Sequence, residues 1–209
     1  MNGLAIHSSR KIDGRFCGEE SPWHTLASWV VLLLLATVGG CSTRTASWTE
    51  EVKLSNGRTV QVERQERYEI VGSIGGARGA LNLEARLRVL DQAPASPEWV
   101  DRLEPLLLDV DTANSELVLI CTSGDDQVWS ARGKPTPPYW QFRLHDGKWI
   151  QEPVQEFVFG RETNLVIDRA WLREHTGPVT LAQKNKWRDE NNLIKRYVSI
   201  NRDSRFGID

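Results

Sequence analysis

The stretch EVKLSNGRTVQVE, residues 51–63, decides the fold class. Val52 and Leu54 alternate with charged and polar residues, and so do Val60 and Val62, around Asn56-Gly57. Alternation at period two on both sides of a turn signal is the mark of a β-hairpin. The turn length follows from the side chains. A two-residue Asn-Gly loop sets Val52 opposite Gln61 and Leu54 opposite Thr59. A three-residue loop over Ser55, Asn56 and Gly57, with Gly57 left-handed, sets Val52 opposite Val60 and collects the apolar side chains on one face. A slip of one residue turns every side chain to the other face, so the longer turn is expected.

Working outward, more of the chain reads as strand. In ARGKPTPPYWQFRLHDGKWIQ, from Ala131, three prolines (Pro135, Pro137, Pro138) impose an extended entry. Trp140, Phe142 and Leu144 then alternate with polar residues, and Asp146-Gly147 turns the chain toward Trp149 and Ile150, a second hairpin. EPLLLDV from Glu104 and ELVLICTS from Glu116 are further strands, joined by a polar turn over residues 111–115. ALNLEARLRVLDQ, residues 80–92, fits both periods. Leu81, Leu83, Ala85, Leu87 and Val89 alternate, while Ala80, Leu83, Leu87 and Leu90 form a helical stripe. Its strand neighbours favour strand. One or two short strands are expected around residues 157–159 and 165–167, and a last short strand or tail near Tyr197. Thr180-Leu181-Ala182-Gln183 has the form of a capping box and predicts a helix from Thr180 to about Glu190. The expectation is a mainly β protein, with antiparallel hairpins in a sandwich or curled sheet and one helix near the C-terminus.

Ahead of this domain, Trp29 to Val38 is an apolar run shorter than the ~20 residues a membrane-spanning helix needs and within the roughly 7–15 of a secretory signal core. Arg10, Lys11 and Arg15 precede it, balanced by Asp13, Glu19 and Glu20. The run ends in Val38-Gly39-Gly40-Cys41. This resembles the lipobox of bacterial lipoproteins, an aliphatic residue and two small ones before the cysteine. The resemblance implies cleavage before Cys41 and acylation of its sulfur and new amino group. Ser42, where an Asp would favour inner-membrane retention, is similar to proteins sorted to the outer membrane and facing the periplasm. A buried helix ending in Gly-Gly and an uncleaved signal anchor are the competing readings. The expected organisation is a removed signal over 1–40, a lipidated Cys and polar tether over 41–47, and one domain over 48–209.

The opening WTEEV and the run RGKPTPPYWQFRLHDGKW, with the later NLVI, also resemble an uncharacterised family of proteobacterial lipoproteins over most of residues 48–190. The resemblance implies an envelope-facing domain and no catalytic residue.

Charge and cysteine usage agree with export. Residues 41–209 keep the formal net charge of −2, with the charges dispersed, and lack the clustered basic face of a nucleic-acid binder. Cys17 would leave with the signal and Cys41 would be alkylated. Cys121, in the apolar run LVLIC, would remain as a buried, inert thiol. No cofactor or metal motif is present. Residues 72–79, GSIGGARG, lack the Gly-Lys-Ser/Thr of a phosphate loop and the G-x-G-x-x-G spacing, and read as a connection. A Cys121–His145 dyad with Asp125 or Asp126 is weaker than a solvated His145 at a turn. Tyr139, Trp140 and Trp149 are the candidate binding surface, against a packing role in strand and core. The function expected is a lipid-anchored, non-catalytic binding or structural module whose partners are the membrane and an envelope protein or glycan. The alternatives are an envelope hydrolase with paired carboxylates and an effector-type lipoprotein acting on another membrane protein.

Overall fold

The computed structural model describes residues 43–72, 78–91, 96–166, 172, 177–190 and 199–207. The chain divides between Gly40 and Cys41, and everything described lies in the second unit, Cys41–Asp209. Strands β1 (Thr43–Lys53), β2 (Thr59–Gly72), β3 (Arg78–Val89) and β4 (Trp99–Asp101) form one antiparallel sheet in that order. Strands β5 (Glu104–Val110), β6 (Leu117–Thr122), β7 (Trp140–His145) and β8 (Lys148–Glu152) form a second. Helix α1 (Asp126–Ala131) follows β6, and α2 (Leu181–Glu190) lies near the C-terminus.

Val52 lies opposite Val60. The Leu54 N–H donates to Arg58 O at 2.8 Å and the Gly57 N–H to Leu54 O at 3.0 Å, which closes the three-residue turn. Gly57 has φ +85°. The second hairpin turns in two residues, Asp146 and Gly147, both at positive φ, with His145 paired to Lys148. That is the geometry whose twist matches flanking strands.

Residues 80–89 are strand. Ala85, Leu87 and Val89 point into the core with no exposure. The alternation then breaks. Arg67 faces Glu84 but Tyr68 faces Asn82, so a bulge drops one residue of β3 from the register. Asn82 takes the inward place, and its Nδ2 donates to Arg102 O and Leu103 O. Leu81 and Leu83 are left only half-buried.

The inner faces of the two sheets share one apolar cluster. Val52, Val60, Val62, Leu87 and Trp99 come from the first sheet, and Leu108, Leu119, Cys121, Trp140 and Phe142 from the second. Trp99 meets Phe142 edge to face at 5.4 Å, a preferred aromatic geometry. The outer face of the second sheet is covered too. Leu106, Leu107, Val118 and Ile120 pack with Val158 and Ile200. Burial on both sides explains why LVLIC, residues 117–121, is a continuous apolar run.

Four expectations need correction. The tether over residues 42–47 is strand from Thr43 onward, because β2 is long enough to pair Thr43–Ser47 with Gln65–Glu69. Residues 157–159 are not strand. Glu156–Val158 is a single 3₁₀ turn that drops Val158 onto the outer face. Leu165 and Val166 form no strand, because their backbones bond to Leu106 and to the Glu50 side chain instead of a neighbouring strand. Helix α1 was not anticipated. Asp125 caps it by accepting from Gln127 N. The capping box holds: Gln183 Oε1 accepts from Thr180 N at 2.8 Å, and Thr180 Oγ1 from Gln183 N at 3.3 Å. Tyr197 and most of residues 72–79 lie outside the described residues.

No heavy atom lies within 4 Å of where a Gly57 Cβ would sit, so Gly57→Ala tests backbone conformation alone. The left-handed position costs an L-residue roughly 1–2 kcal/mol. Urea unfolding of the variant is expected to show that loss with an unchanged m-value.

Candidate functional site

Counting by two from the Val52–Val60 pair carries charge into the interior. Glu50 precedes Val52 on the inward face of β1, and Arg64 and Glu66 follow Val62 on that of β2. All three are at most 3 % exposed. The Glu50 carboxylate accepts from Arg64 Nη1 at 3.1 Å, Lys184 Nζ at 2.9 Å, Trp48 Nε1 at 3.1 Å and Val166 N at 3.0 Å. Arg64 also donates to Glu66 at 2.8 Å and Val166 O at 2.6 Å, and its guanidinium lies 4.7 Å from the Trp48 ring centroid. Burial pushes the Glu50 carboxyl up, but Lys184 and Arg64 together outweigh it and hold the group below its usual 4.5. Lys184 sits on α2, so the network clamps α2 and residues 164–166 to the first sheet.

A groove of about 830 Å³ opens beside this clamp, between the β1–β2 turn, residues 161–164 and the start of α2. That volume falls within the usual range of ligand clefts. Asn164 builds its floor: Oδ1 accepts from Leu108 N, and Nδ2 donates to Lys53 O and Leu108 O. Asp109 joins the two sheets by accepting from Ser55 N at 2.7 Å and Arg161 Nη1 at 2.5 Å. Arg188 donates to Thr163 O and Glu162. The lining carries Lys53, Arg161, Lys184 and Arg188 against Asp109 and Glu162. Both acids already accept from an arginine. Lys184 is paired with the buried Glu50, Arg161 with Asp109 and Arg188 with Glu162, and Lys53 adds one further cation, so the lining suits a polar ligand rich in acceptors, such as a carboxylate or sugar hydroxyls.

A second charged cluster surrounds Arg143 on the outer face of β7. Arg143 donates to Asp111 at 2.8 Å, Glu116 at 3.2 Å and Glu152 at 3.0 Å. His145 Nδ1 lies 2.5 Å from Glu116 Oε1. That hydrogen bond raises His145 above its usual 6.5, with Asp146 adding to it. The same bond is the largest cause holding Glu116 below 4.5. The Ala113 N–H, then Arg143, hold Asp111 below 3.8. Glu50, Asp111 and Glu116 are thus held as carboxylates, the reverse of what a general acid needs. Cys121 and His145 form no dyad. Cys121 is fully buried between the sheets and burial pushes its thiol well up, whereas His145 is exposed beside Glu116.

Tyr139 and Trp140 are 7 % and 5 % exposed. Adjacent on the chain, they point to opposite sides: Tyr139 into the outer cluster and Trp140 into the inter-sheet core. Trp149 is half-buried and donates to Pro97 O at 3.0 Å. The three do not make one exposed aromatic face. Tyr139 and Trp140 do edge a second cleft of about 550 Å³ with Pro135, Pro137 and Pro153. Val38, Gly39, Gly40 and Cys41 lie outside the described residues. Among the described residues no group of three or more His, Cys, Asp or Glu could hold a metal. The charged clamp was within reach of sequence reasoning, since Glu50, Arg64 and Glu66 share the phase of Val52, Val60 and Val62. The groove was not: Asp109 meets Ser55 and Arg161 across 54 and 52 residues of chain.

Glu50→Ala leaves Lys184 buried without its counter-ion and Arg64 with Glu66 alone, and is expected to cost about 3–5 kcal/mol in urea unfolding. For the exposed pair, the His145 contribution to stability is complete below 6.5 and fades as pH rises through its raised folded value. The Glu116 contribution is complete above 4.5 and fades as pH falls through its depressed folded value. The stability difference between wild type and Glu116→Gln is therefore expected to peak between 4.5 and 6.5, with the His145 NMR titration moving down in the variant. Comparison of the chain with protein-family models, curated proteins and solved structures gives no match, so the chemistry of these sites rests on the geometry of this chain alone.

Proposed function

We propose that the chain is a lipid-anchored protein of the cell envelope, held in the outer membrane and facing the periplasm. It acts there as a non-catalytic binding or structural module whose partner is an envelope protein or glycan. The observation that carries this reading is Val38-Gly39-Gly40-Cys41 at the end of the apolar run, immediately ahead of the domain. Among the described residues no helix is long and apolar enough to cross a membrane, so an anchor within them would not be a helix of this domain. Two or more acyl chains, each buried CH₂ contributing about 0.8 kcal/mol, hold a protein stably where one does not. The groove beside α2 offers the module a polar binding face, and its acids are engaged in ion pairs rather than set as an acid–base couple.

Intact mass and membrane fractionation of the full-length protein beside Cys41→Ala test the reading. The wild type is expected to lose residues 1–40, gain a triacyl mass and sediment with membranes. The variant is expected to keep its leader and lack the lipid. An unprocessed mass in both overturns the lipid anchor.

A further inference from the structure

The two sheets have four edge strands, and the chain itself covers two of them. β5 is met by the Asn164 and Leu165 amides, which donate to Leu106 O, and by the Asn164 side chain, which accepts from Leu108 N and donates to Leu108 O. β1 is met at Thr49 and Glu51 by the Val179 backbone. β4 is only three residues long. β8, Lys148–Glu152, pairs with β7 on one side and with no described strand on the other. The turn fixes which residues face that open side. In a two-residue hairpin the pair flanking the turn exchanges both hydrogen bonds, so Lys148, Ile150 and Glu152 aim their backbone groups at β7. Trp149 and Gln151 aim theirs outward, where no described backbone group meets them. An open row of this kind is a template for a further strand.

We infer that the open edge of β8 pairs with β8 of a second copy of this chain, antiparallel about a two-fold axis at Ile150. The strand is complementary to itself in that register. Lys148 stands opposite Glu152 of the second copy, Trp149 opposite Gln151, and Ile150 opposite its own counterpart. Trp149 and Gln151 carry the outward backbone groups, so they exchange hydrogen bonds in both directions across the axis. Ile150 then forms a non-hydrogen-bonded pair, the kind that brings side chains closest. It is 48 % exposed, the most exposed large hydrophobic side chain among the described residues, and the pairing covers it. Charge agrees. Glu152 belongs to a cluster in which it shares Arg143 with Asp111 and Glu116, and the exposed Lys148 of the second copy brings a further cation to it. A slide of two residues keeps outward groups facing each other but loses the match. One direction sets Asp146 opposite Glu152 and Ile150 opposite Lys148. The other sets Trp149 opposite Pro153, which has no N–H, and Ile150 opposite Glu152. Two five-residue edges make a small interface, so the dimer is a weak, exchanging one. The pairing does not depend on the Cys41 anchor.

Disulfide trapping of the full-length chain in detergent tests both the contact and its register. Each variant carries Cys17→Ser and Cys41→Ser, so the introduced thiol and the buried Cys121 are the only ones left. Ile150→Cys is oxidised mildly beside Lys148→Cys and Leu90→Cys, the last at a 41 % exposed position just past β3. Ile150 lies outside both core clusters, so its replacement leaves the fold intact. In the inferred pairing the two Cα atoms at 150 lie about 4.5 Å apart, close enough for a disulfide. The two at 148 are displaced by about 13 Å along the strands and cannot bridge. Ile150→Cys is expected to form a covalent dimer roughly tenfold or more faster than either control, because standing contact makes the reaction intramolecular. Adding Lys148→Glu sets acid opposite acid and is expected to slow that dimer several-fold. No dimer at 150 overturns the inference. A thiol at 148 or 90 that links as fast as one at 150 also overturns it, since collision or another contact then explains the bond. A rate at 150 that ignores Lys148→Glu overturns the register.

Discussion

Glu50 is a carboxylate with no access to water, and donors from four parts of the chain converge on it: Trp48 of β1, Arg64 of β2, the Val166 amide and Lys184 of α2. Removing two charges from water is costly unless geometry and further hydrogen bonds return most of it. Here the return is also architectural. Lys184 bonds to Asn164 O, and Arg64 to Val166 O, so the ions that neutralise Glu50 fix the chain segments covering the charged half of the first sheet. Those segments carry Arg161, Glu162 and Asn164, and the helix carries Arg188. The groove has its shape because the clamp behind it is closed.

The two halves of the first sheet solve different problems. Around Val52, Val60, Val62, Ala85, Leu87 and Val89 the inward face is apolar and meets the second sheet. At Glu50 and Arg64 it is covered by Val166 and by Lys184 of α2, which bond to these two ions or pair with them. An apolar seam is tolerant of small shifts, whereas a set of directed donors around one carboxylate is not. Arg64 Nε is buried without a hydrogen-bond partner, so the network is not fully satisfied.

How much of this was legible follows from the distance between interacting residues. The first hairpin was readable down to its register because Ser55-Asn56-Gly57 and the flanking valines are local and only one turn length puts them in phase. Thr180 and Gln183 were readable because a capping box spans four residues. The strand over residues 80–89 was ambiguous because its leucines satisfy two periods, and the bulge moves Leu81 and Leu83 off the face that alternation alone assigns them. Helix α1 escaped because six residues are too few to display a 3.6-residue period. The Val158 turn escaped because an aromatic and β-branched run reads as strand whether or not a strand partner exists. The groove joins Ser55, Asp109 and Arg161, and no local pattern connects them.

The first strand also bears on how the groove would be presented. β1 starts at Thr43, two residues from Cys41, and ends at Lys53 on the rim of the groove. Eleven residues of strand span about 35 Å, more than a Debye length or the depth of a headgroup layer. Under the lipid-anchor proposal, β1 is then both the stem and the spacer. One end is tied to the bilayer by a tether too short to let the domain swing free. The other ends at the rim of the groove, up to about 35 Å of strand away from the anchor. A flexible tether over residues 42–47 would have let Arg161 and Arg188 fold down onto lipid phosphates. Under the same proposal, a paired strand in its place makes the distance of Arg161 and Arg188 from the bilayer depend on the direction in which β1 leaves it.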